Sequence, residues 1–320
     1  DRPQESVVRP RDPAAAVAAV PVICVGNLTL GGTGKTPLVA WVARQLLAQG
    51  LRPAIVSRGY AAQRFRPSDE AAELAIVLPG VPHVANRDRV AAAAEAAALD
   101  ANVVVLDDGF QHRRLRRDLD IVAIDATDPF GCDRLFPRGL LRESVTGLGR
   151  AQAIVLTRAD RIDATGRDRI RSLVCQARGD RPPAVWLDTR HTAVAVRESD
   201  GSVAPLAALA GRRVAAFCGI GNPAAFRHTL TDIGADVVGF RSFADHHHYT
   251  PADVHSLAAW AGSTGAEQAI TTLKDLVRLG TPRLQRLPLA AVEIVVEPLG
   301  DPAALCQLLA TATHRGGQPV

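Results

Sequence analysis

The sequence predicts an α/β fold: a mostly parallel sheet with helices on both faces, plus a second, smaller α/β domain joined by a two-stranded β hinge. Three observations carry this expectation. Short β-branched apolar runs alternate with alanine-rich helical stretches through the first half. Those runs are continuously apolar, as strands buried on both faces are. From about Pro182 the texture turns to alternation, and a second β–α pattern then begins.

The elements follow in order. "PVICVGN" reads as a strand, and "KTPLVAWVARQLLAQG" as a helix ending at Gly50. "RPAIVSRG" is a strand, followed by a short helical piece around "DEAAELAIVL" and then "VPHVAN". The helix "RDRVAAAAEAAALD" leads into three further strands, "NVVVLDD", "LDIVAIDA" and "AQAIVLT". "AVWLDTRHTAVAV" alternates like an exposed antiparallel strand, with "AAVEIVVEP" near the end as its partner. Between these two lie "RRVAAFCGIGNPAAFRHTLTDIG", "ADVVGFRSFAD", a helix over "PADVHSLAAWAG", and "EQAITTLKD". The expected organisation is a larger α/β domain over 1–185, a hinge from 186–205 and 288–298, and a smaller α/β domain over 206–287. The last stretch, 299–320, carries the helix "DPAALCQLLATAT", expected to return to the first domain.

Bulk properties bound the function loosely. The chain has 320 residues, 47% hydrophobic and 22% charged, a length that suggests two domains. Its apolar runs end after six to eight residues, too short to span a bilayer, and "DRPQESVVRPRDP" is no signal peptide. The absence of methionine predicts that the chain begins inside a longer gene product. Five scattered cysteines without a C-x-x-C pair read as core thiols of a reducing compartment. A net charge of +4 suits anionic substrates, nucleic acid or an acidic membrane face equally. Of the 37 basic residues only Lys35 and Lys274 are lysines, which marks both for work that a planar guanidinium does not do.

Two motifs carry chemistry. In "GNLTLGGTGKTP", Gly31, Gly32 and Gly34 let the backbone curl around phosphate, with Thr33 between them. Lys35 adds charge for the β- and γ-phosphates, Thr36 a hydroxyl for Mg²⁺, and the helix beginning there directs its positive end to the same place. Thr29 stands where the strict pattern has its first glycine, yet the tight curve lies nearest the lysine. The second motif, "NVVVLDDGFQH", ends an apolar strand in Asp107 and Asp108, at the sheet edge where open α/β folds bind ligands. One or both acids suit the Mg²⁺ that bridges nucleotide phosphates. Together the motifs predict a P-loop NTPase-like sheet with ATP and Mg²⁺ as cofactors.

The order of "VGNLTLGGTGKTP", "SRGY", "DDGFQHRRL", "FPRGLLRE", "GIGNP", "FADHH" and "TLKD" resembles the tetraacyldisaccharide 4'-kinases, the lipid A 4'-kinases of Gram-negative bacteria. The resemblance runs from about Pro21 to Pro298 and includes the missing glycine at 29. It implies transfer of the ATP γ-phosphate to the 4'-hydroxyl of an acylated glucosamine disaccharide 1-phosphate. It also implies peripheral association with cytoplasmic-face lipids of the inner membrane, with no nucleic acid and no obligate protein partner. Carried over by residue, Gly32 to Thr36 hold the ATP phosphates, and Asp107 and Asp108 sit at the Mg²⁺ end with Gln111 and His112 behind. Asp69, in the Asp69-Glu70 pair, matches the general base, and His246 its imidazole partner. Asn27, Arg58, Arg142 and Lys274 fall in the same motifs and complete the candidate substrate-side set.

Departures and alternatives are specific. The stretch from Tyr60 to Asp69 is short and lacks the glycines expected after "SRGY"; "SDE" also reads as a helix cap with favourable first-turn charge. The family's amphipathic or apolar N-terminal helix has no counterpart in residues 1–20. Adjacent histidines in "DHHH" point in different directions and are not expected to share an ion. Arg113, Arg114, Arg116 and Arg117 read either as a solvated loop or as partners of the 1-phosphate or anionic headgroups. Lys274-Asp275 reads as a surface ion pair or a site element, and "GIGNP" as an anion nest or a turn. The rival function is a switch or partitioning-type ATPase, which has a similar loop and needs no small-molecule acceptor.

Overall fold

A computed structural model describes residues 15–59, 68–281 and 283–314. The chain divides into two units, 1–190 with 296–320, and 191–295. In chain order the first unit holds β1 (Val22–Gly26), α1 (Lys35–Ala48), β2 (Pro53–Ser57), α2 (Asp69–Val77), β3 (His83–Ala85), α3 (Arg89–Ala98), β4 (Val103–Asp107), β5 (Leu119–Asp125), β6 (Ala153–Thr157), α4 (Ala164–Ala177) and the start of β7 (Val185–Glu198). The second holds β8 (Val203–Ala204), β9 (Arg213–Cys218), α5 (Pro223–Ile233), β10 (Asp236–Ser242), α6 (Pro251–Ser263), β11 (Gln268–Thr272), α7 (Leu273–Leu279), β12 (Arg283–Leu284) and most of β13 (Leu287–Pro298). The closing helix, α8 (Ala303–His314), belongs to the first unit.

The first unit's sheet runs β7-β6-β5-β1-β4-β2-β3, and every one of these neighbours is parallel. Strand periodicity sorts its side chains into two cores. Cys24, Val56, Leu106, Val122 and Ile154 face one side, where they meet Ala92 and Ala96 of α3 and Ile170 and Val174 of α4. Ile23, Val25, Ile55, Val105 and Ile121 face the other, against Leu38 and Val42 of α1, Leu74 of α2, and Leu305 and Leu309 of α8. Burial on both faces explains why the strands read as unbroken apolar runs. Helix α4 is an element the sequence reading does not anticipate: its polar face dominates "ATGRDRIRSLVCQA", and Ile170 and Val174 are its buried contacts.

Chain order and sheet order part company around β1, which lies between β4 and β5. The loops after β1 and β4 therefore leave the same carboxyl edge side by side, the place where open α/β sheets bind ligands. In the second unit β10, β9, β11 and β13 are parallel neighbours, β8 pairs antiparallel with β7, and β12 antiparallel with β13. Its core gathers Val214, Ala216, Phe226, Leu230, Ile270 and Val292. Strand β7 has the expected neighbour, β13, and pairs antiparallel with β8 near its end, while its first residues pair parallel with β6.

Candidate active site

The site of the first unit is built where β1 and β4 end. After β1 the chain runs through Asn27, Leu28 and Thr29 into the glycine loop and then into α1. Gly34, at φ 79°, turns the chain left-handed into α1 without a side-chain cap. Gly26 answers a different need: a Cβ there would lie 2.6 Å from the Cβ of Phe110, so β1 ends against the "DDGF" turn. Thr29 needs no such freedom. It is buried, forms an antiparallel bridge with Leu141 and has no positive φ, so the strict pattern's glycine is dispensable at this point.

Charged groups converge on Lys35. Its Nζ donates to Asn27 Oδ1 at 2.9 Å and lies 3.1 Å from Asp108 Oδ1. Asn27 is fixed in turn, since its side-chain amide donates to Thr29 O at 2.6 Å and its carbonyl accepts from Gln111 Nε2 at 2.9 Å. Arg142 Nη1 reaches both Asp108 oxygens, at 2.9 and 2.7 Å. The same Gln111 amide donates to Glu143, which Arg150 holds through both carboxylate oxygens. Burial would push the Asp108 carboxyl up, but Lys35 and Arg142 override it and bring the pKa to about 2. Asp107 is the opposite case: burial first, then the charge of Asp108, raises its pKa to about 7. Two adjacent acids, one held ionised by its cations and one raised by burial and by its neighbour's charge, form a donor set suited to a hard divalent cation.

Further observations fit a nucleotide phosphate and its metal. The Thr33 hydroxyl is buried without a hydrogen-bond partner inside the loop. The first turn of α1 has no acidic residue. Glu70, second residue of α2, is close enough for its charge to act on Asp107. Ser68 is the cap of α2 and accepts from Ala71 N–H, so Asp69 is not the capping side chain. The stretch from Tyr60 to Pro67, on which the alignment of Asp69 depends, lies outside the described residues.

The family comparison agrees with this geometry. A profile described as tetraacyldisaccharide-1-P 4'-kinase matches residues 9–314. The chain belongs to this family. Among 4'-kinase relatives, the protein of Anaeromyxobacter sp. (strain Fw109-5) is 42% identical over 323 residues, covering 95% of this chain and 85% of its own. That of Geobacter metallireducens is 40% identical over 304 residues, covering 89% and 86%. The crystal structure of LpxK from Aquifex aeolicus, in complex with ATP, matches with a TM-score of 0.71 at 30% identity, covering 93% of this chain and 90% of that one.

Within this 4'-kinase fold several supporting residues escape a reading by motif. Thr157, at the end of β6, donates its hydroxyl to Thr33 O at 2.9 Å. Arg158, at φ 54°, donates to Gly32 O at 3.1 Å and pairs with the buried carboxylate of Asp125. Both residues hold carbonyls of the glycine loop. Glu143 follows Arg142 in the quoted "LLRE", and its acid was the available signal. Arg89 is buried at the start of α3, where burial and then the nearby exposed Arg58 lower its pKa. His112 donates its N–H to Gly109 O at 2.8 Å and gives its carbonyl to Arg117. Arg117 is committed to Asp120 through two hydrogen bonds, which separates it from the exposed Arg113, Arg114 and Arg116.

The 4'-kinase motifs of the second unit gather at the carboxyl ends of β9 and β11. Asp275 is fully buried and accepts from Gly219 N–H at 2.9 Å, the Thr272 hydroxyl at 2.7 Å, the Tyr249 hydroxyl at 3.1 Å and Arg278 at 3.2 Å. It is therefore no surface partner of Lys274. Because the Gly219 N–H serves Asp275 and the Asn222 side chain caps α5, "GIGNP" is a turn and cap. Lys274 Nζ lies 3.2 Å from His246 Nε2, and Arg278 Nη2 lies 3.1 Å from His246 Nδ1. His247 instead meets Asp253 and stacks on Phe243, while His248 is exposed. The three histidines diverge, and no metal-type cluster of three or more His, Cys, Asp or Glu occurs among the described residues.

Proposed function

We propose that this chain is an ATP-dependent tetraacyldisaccharide 4'-kinase, which transfers the γ-phosphate to the 4'-hydroxyl of tetraacyldisaccharide 1-phosphate in lipid A biosynthesis. The observation that carries the reading is the Lys35–Asn27–Asp108–Arg142 cluster at the loop between β1 and α1, in a chain of that family. Gly31, Gly32, Thr33, Gly34, Lys35 and Thr36 bind the ATP phosphates. Thr36, Asp107 and Asp108 would hold Mg²⁺, which would supply positive charge against the nucleotide phosphates. Lys35 and Arg142 add fixed positive charge to the same side. The 4'-oxygen forms the new bond to phosphorus, the bond to the bridging oxygen breaks to release ADP, and Asp69 accepts the hydroxyl proton. His246 tunes that base in this reading, and Asn27, Arg58, Gln111, His112 and Lys274 contribute on the acceptor side. Segments 186–205 and 288–298 act as a hinge.

No helix among the described residues is long and apolar enough to cross a membrane. The acceptor is a lipid, so the reading places the chain peripherally at the cytoplasmic face of the inner membrane. A switch-type ATPase is disfavoured by family membership. The test is whether ATP turnover depends on added acylated disaccharide 1-phosphate. Lipid-dependent turnover supports the kinase; the same turnover with and without lipid supports the switch.

A further inference from the structure

Between β5 and β6 the chain makes an excursion over residues 126–152 that is joined to the phosphate loop. Leu30 N–H donates to Leu140 O at 2.7 Å, Arg142 N–H donates to Leu28 O at 2.7 Å, and Thr29 bridges Leu141. Its inner end is thus anchored: Phe130 and Leu141 are buried, and Gly131 N–H binds Asp128. Its outer end is of opposite character. Leu135 is 53% exposed, Phe136 65% and Leu140 38%, so three of the exposed large apolar side chains fall within six residues. The other exposed apolar side chains among the described residues are scattered singly, which is ordinary for a protein surface. Arg134 and Arg138 flank the apolar tip and are also exposed, while Asp133 is the one acid between Gly131 and Arg142. Beside the tip a cavity of about 220 Å³ is lined by Asp133, Leu135, Leu141, Ser144 and Val145.

An apolar tip ringed by arginine is costly in water and suited to an interface where apolar groups enter the acyl boundary and guanidinium groups meet phosphate headgroups. We propose that the Asp133–Leu141 turn is a membrane-docking tip, which inserts Leu135, Phe136 and Leu140 into an anionic lipid surface while Arg134 and Arg138 bind its headgroups. The inference rests on the kinase reading only in that a lipid acceptor gives the tip a purpose. Because the turn is bonded to Leu28 and Leu30, docking it also fixes the height of the phosphate loop above the bilayer. A second copy of this chain is the competing occupant, but two flanking arginines would then approach two more across a symmetric contact, which disfavours it.

The experiment uses the full chain and vesicles that contain no acceptor lipid, so its outcome is independent of phosphoryl transfer. Sedimentation with phosphatidylcholine vesicles is compared with and without phosphatidylglycerol. The intact chain is expected to bind the anionic vesicles preferentially. Leu135→Ser with Phe136→Ser should weaken that binding by about tenfold or more, and Arg134→Gln with Arg138→Gln should remove the preference for anionic lipid. Both variants should bind ATP as the intact chain does. As a readout that tolerates a change in folding yield, Phe136→Trp should show a blue-shifted emission on anionic vesicles. Vesicle binding unchanged in both double variants would overturn the proposal. So would indole emission of the Phe136→Trp variant that stays unmoved by lipid the protein does bind. Loss of a dimer in the Leu135→Ser/Phe136→Ser variant without loss of vesicle binding would also overturn it, and assigns the tip to a second copy.

Discussion

Lys35 is held between Asn27 Oδ1 and Asp108 Oδ1, a position set by one short donor distance on each side. An ammonium satisfies both as a compact charge, whereas a guanidinium is larger and planar. Lys35→Ala is therefore predicted to lower kcat by roughly 10²–10³-fold, the scale of a lost transition-state cation, and Lys35→Arg should not restore it. Steady-state kinetics with ATP varied checks both variants. His83 supplies a pH prediction at the same scale. Its Nε2 lies 2.8 Å from Ser57 Oγ, and burial, opposed by Glu70, lowers its pKa to about 4. The unfolded chain takes up a proton at His83 near the ordinary histidine value of about 6.5, while the folded one does so only near 4, so stability falls as pH drops through that window. With its partial exposure allowed for, the loss is roughly 1–2 kcal/mol, and His83→Gln should flatten this part of the stability–pH curve in denaturant titrations.

At the scale of elements, the glycine loop between β1 and α1 is shaped by its neighbours as much as by its glycines. Thr157 and Arg158 at the end of β6 hold Thr33 O and Gly32 O, and the excursion before β6 holds Leu28 and Leu30. Arg158→Ala would leave the buried Asp125 carboxylate without its ion pair. The expected cost is about 3 kcal/mol of stability, with weaker ATP binding, measured by unfolding and by nucleotide titration. Gly26→Ala would press a methyl against Phe110 and should cost about 1–3 kcal/mol while disturbing the Asp107-Asp108 turn. Much of this frame was legible. Gly34, Lys35 and the Asp107-Asp108 pair announce themselves because glycine freedom, a rare lysine and adjacent acids each have few other uses. Thr157, Arg158 and Glu143 do not, since threonine, arginine and glutamate are common and the residues they contact at this site, Thr33, Gly32 and Gln111, are 32 to 126 residues away in sequence. Helix α4 was missed for a related reason, as two buried apolar residues leave little periodicity to read.

For the whole molecule, the alternation of apolar runs and helices predicted the parallel sheet because both faces are covered, and α8 completes one of those faces from the far end of the chain. The direction of β7 was less legible: alternation reports one exposed face, which a parallel pairing at its start does not prevent. In the proposed mechanism Asp69 is the base and His246 the group that tunes it. If both serve one proton transfer, Asp69→Ala with His246→Ala should lower kcat little further than the more damaging single change, a non-additivity that a double-mutant cycle reads directly. The central claim is that the loop at Lys35 delivers phosphate to a lipid hydroxyl. Incubation with ATP labelled at the γ-phosphate and acylated glucosamine disaccharide 1-phosphate tests it most directly. The account predicts label at the 4'-position of the lipid, absent in Lys35→Ala; label released only as inorganic phosphate, with the lipid unmarked, would contradict it.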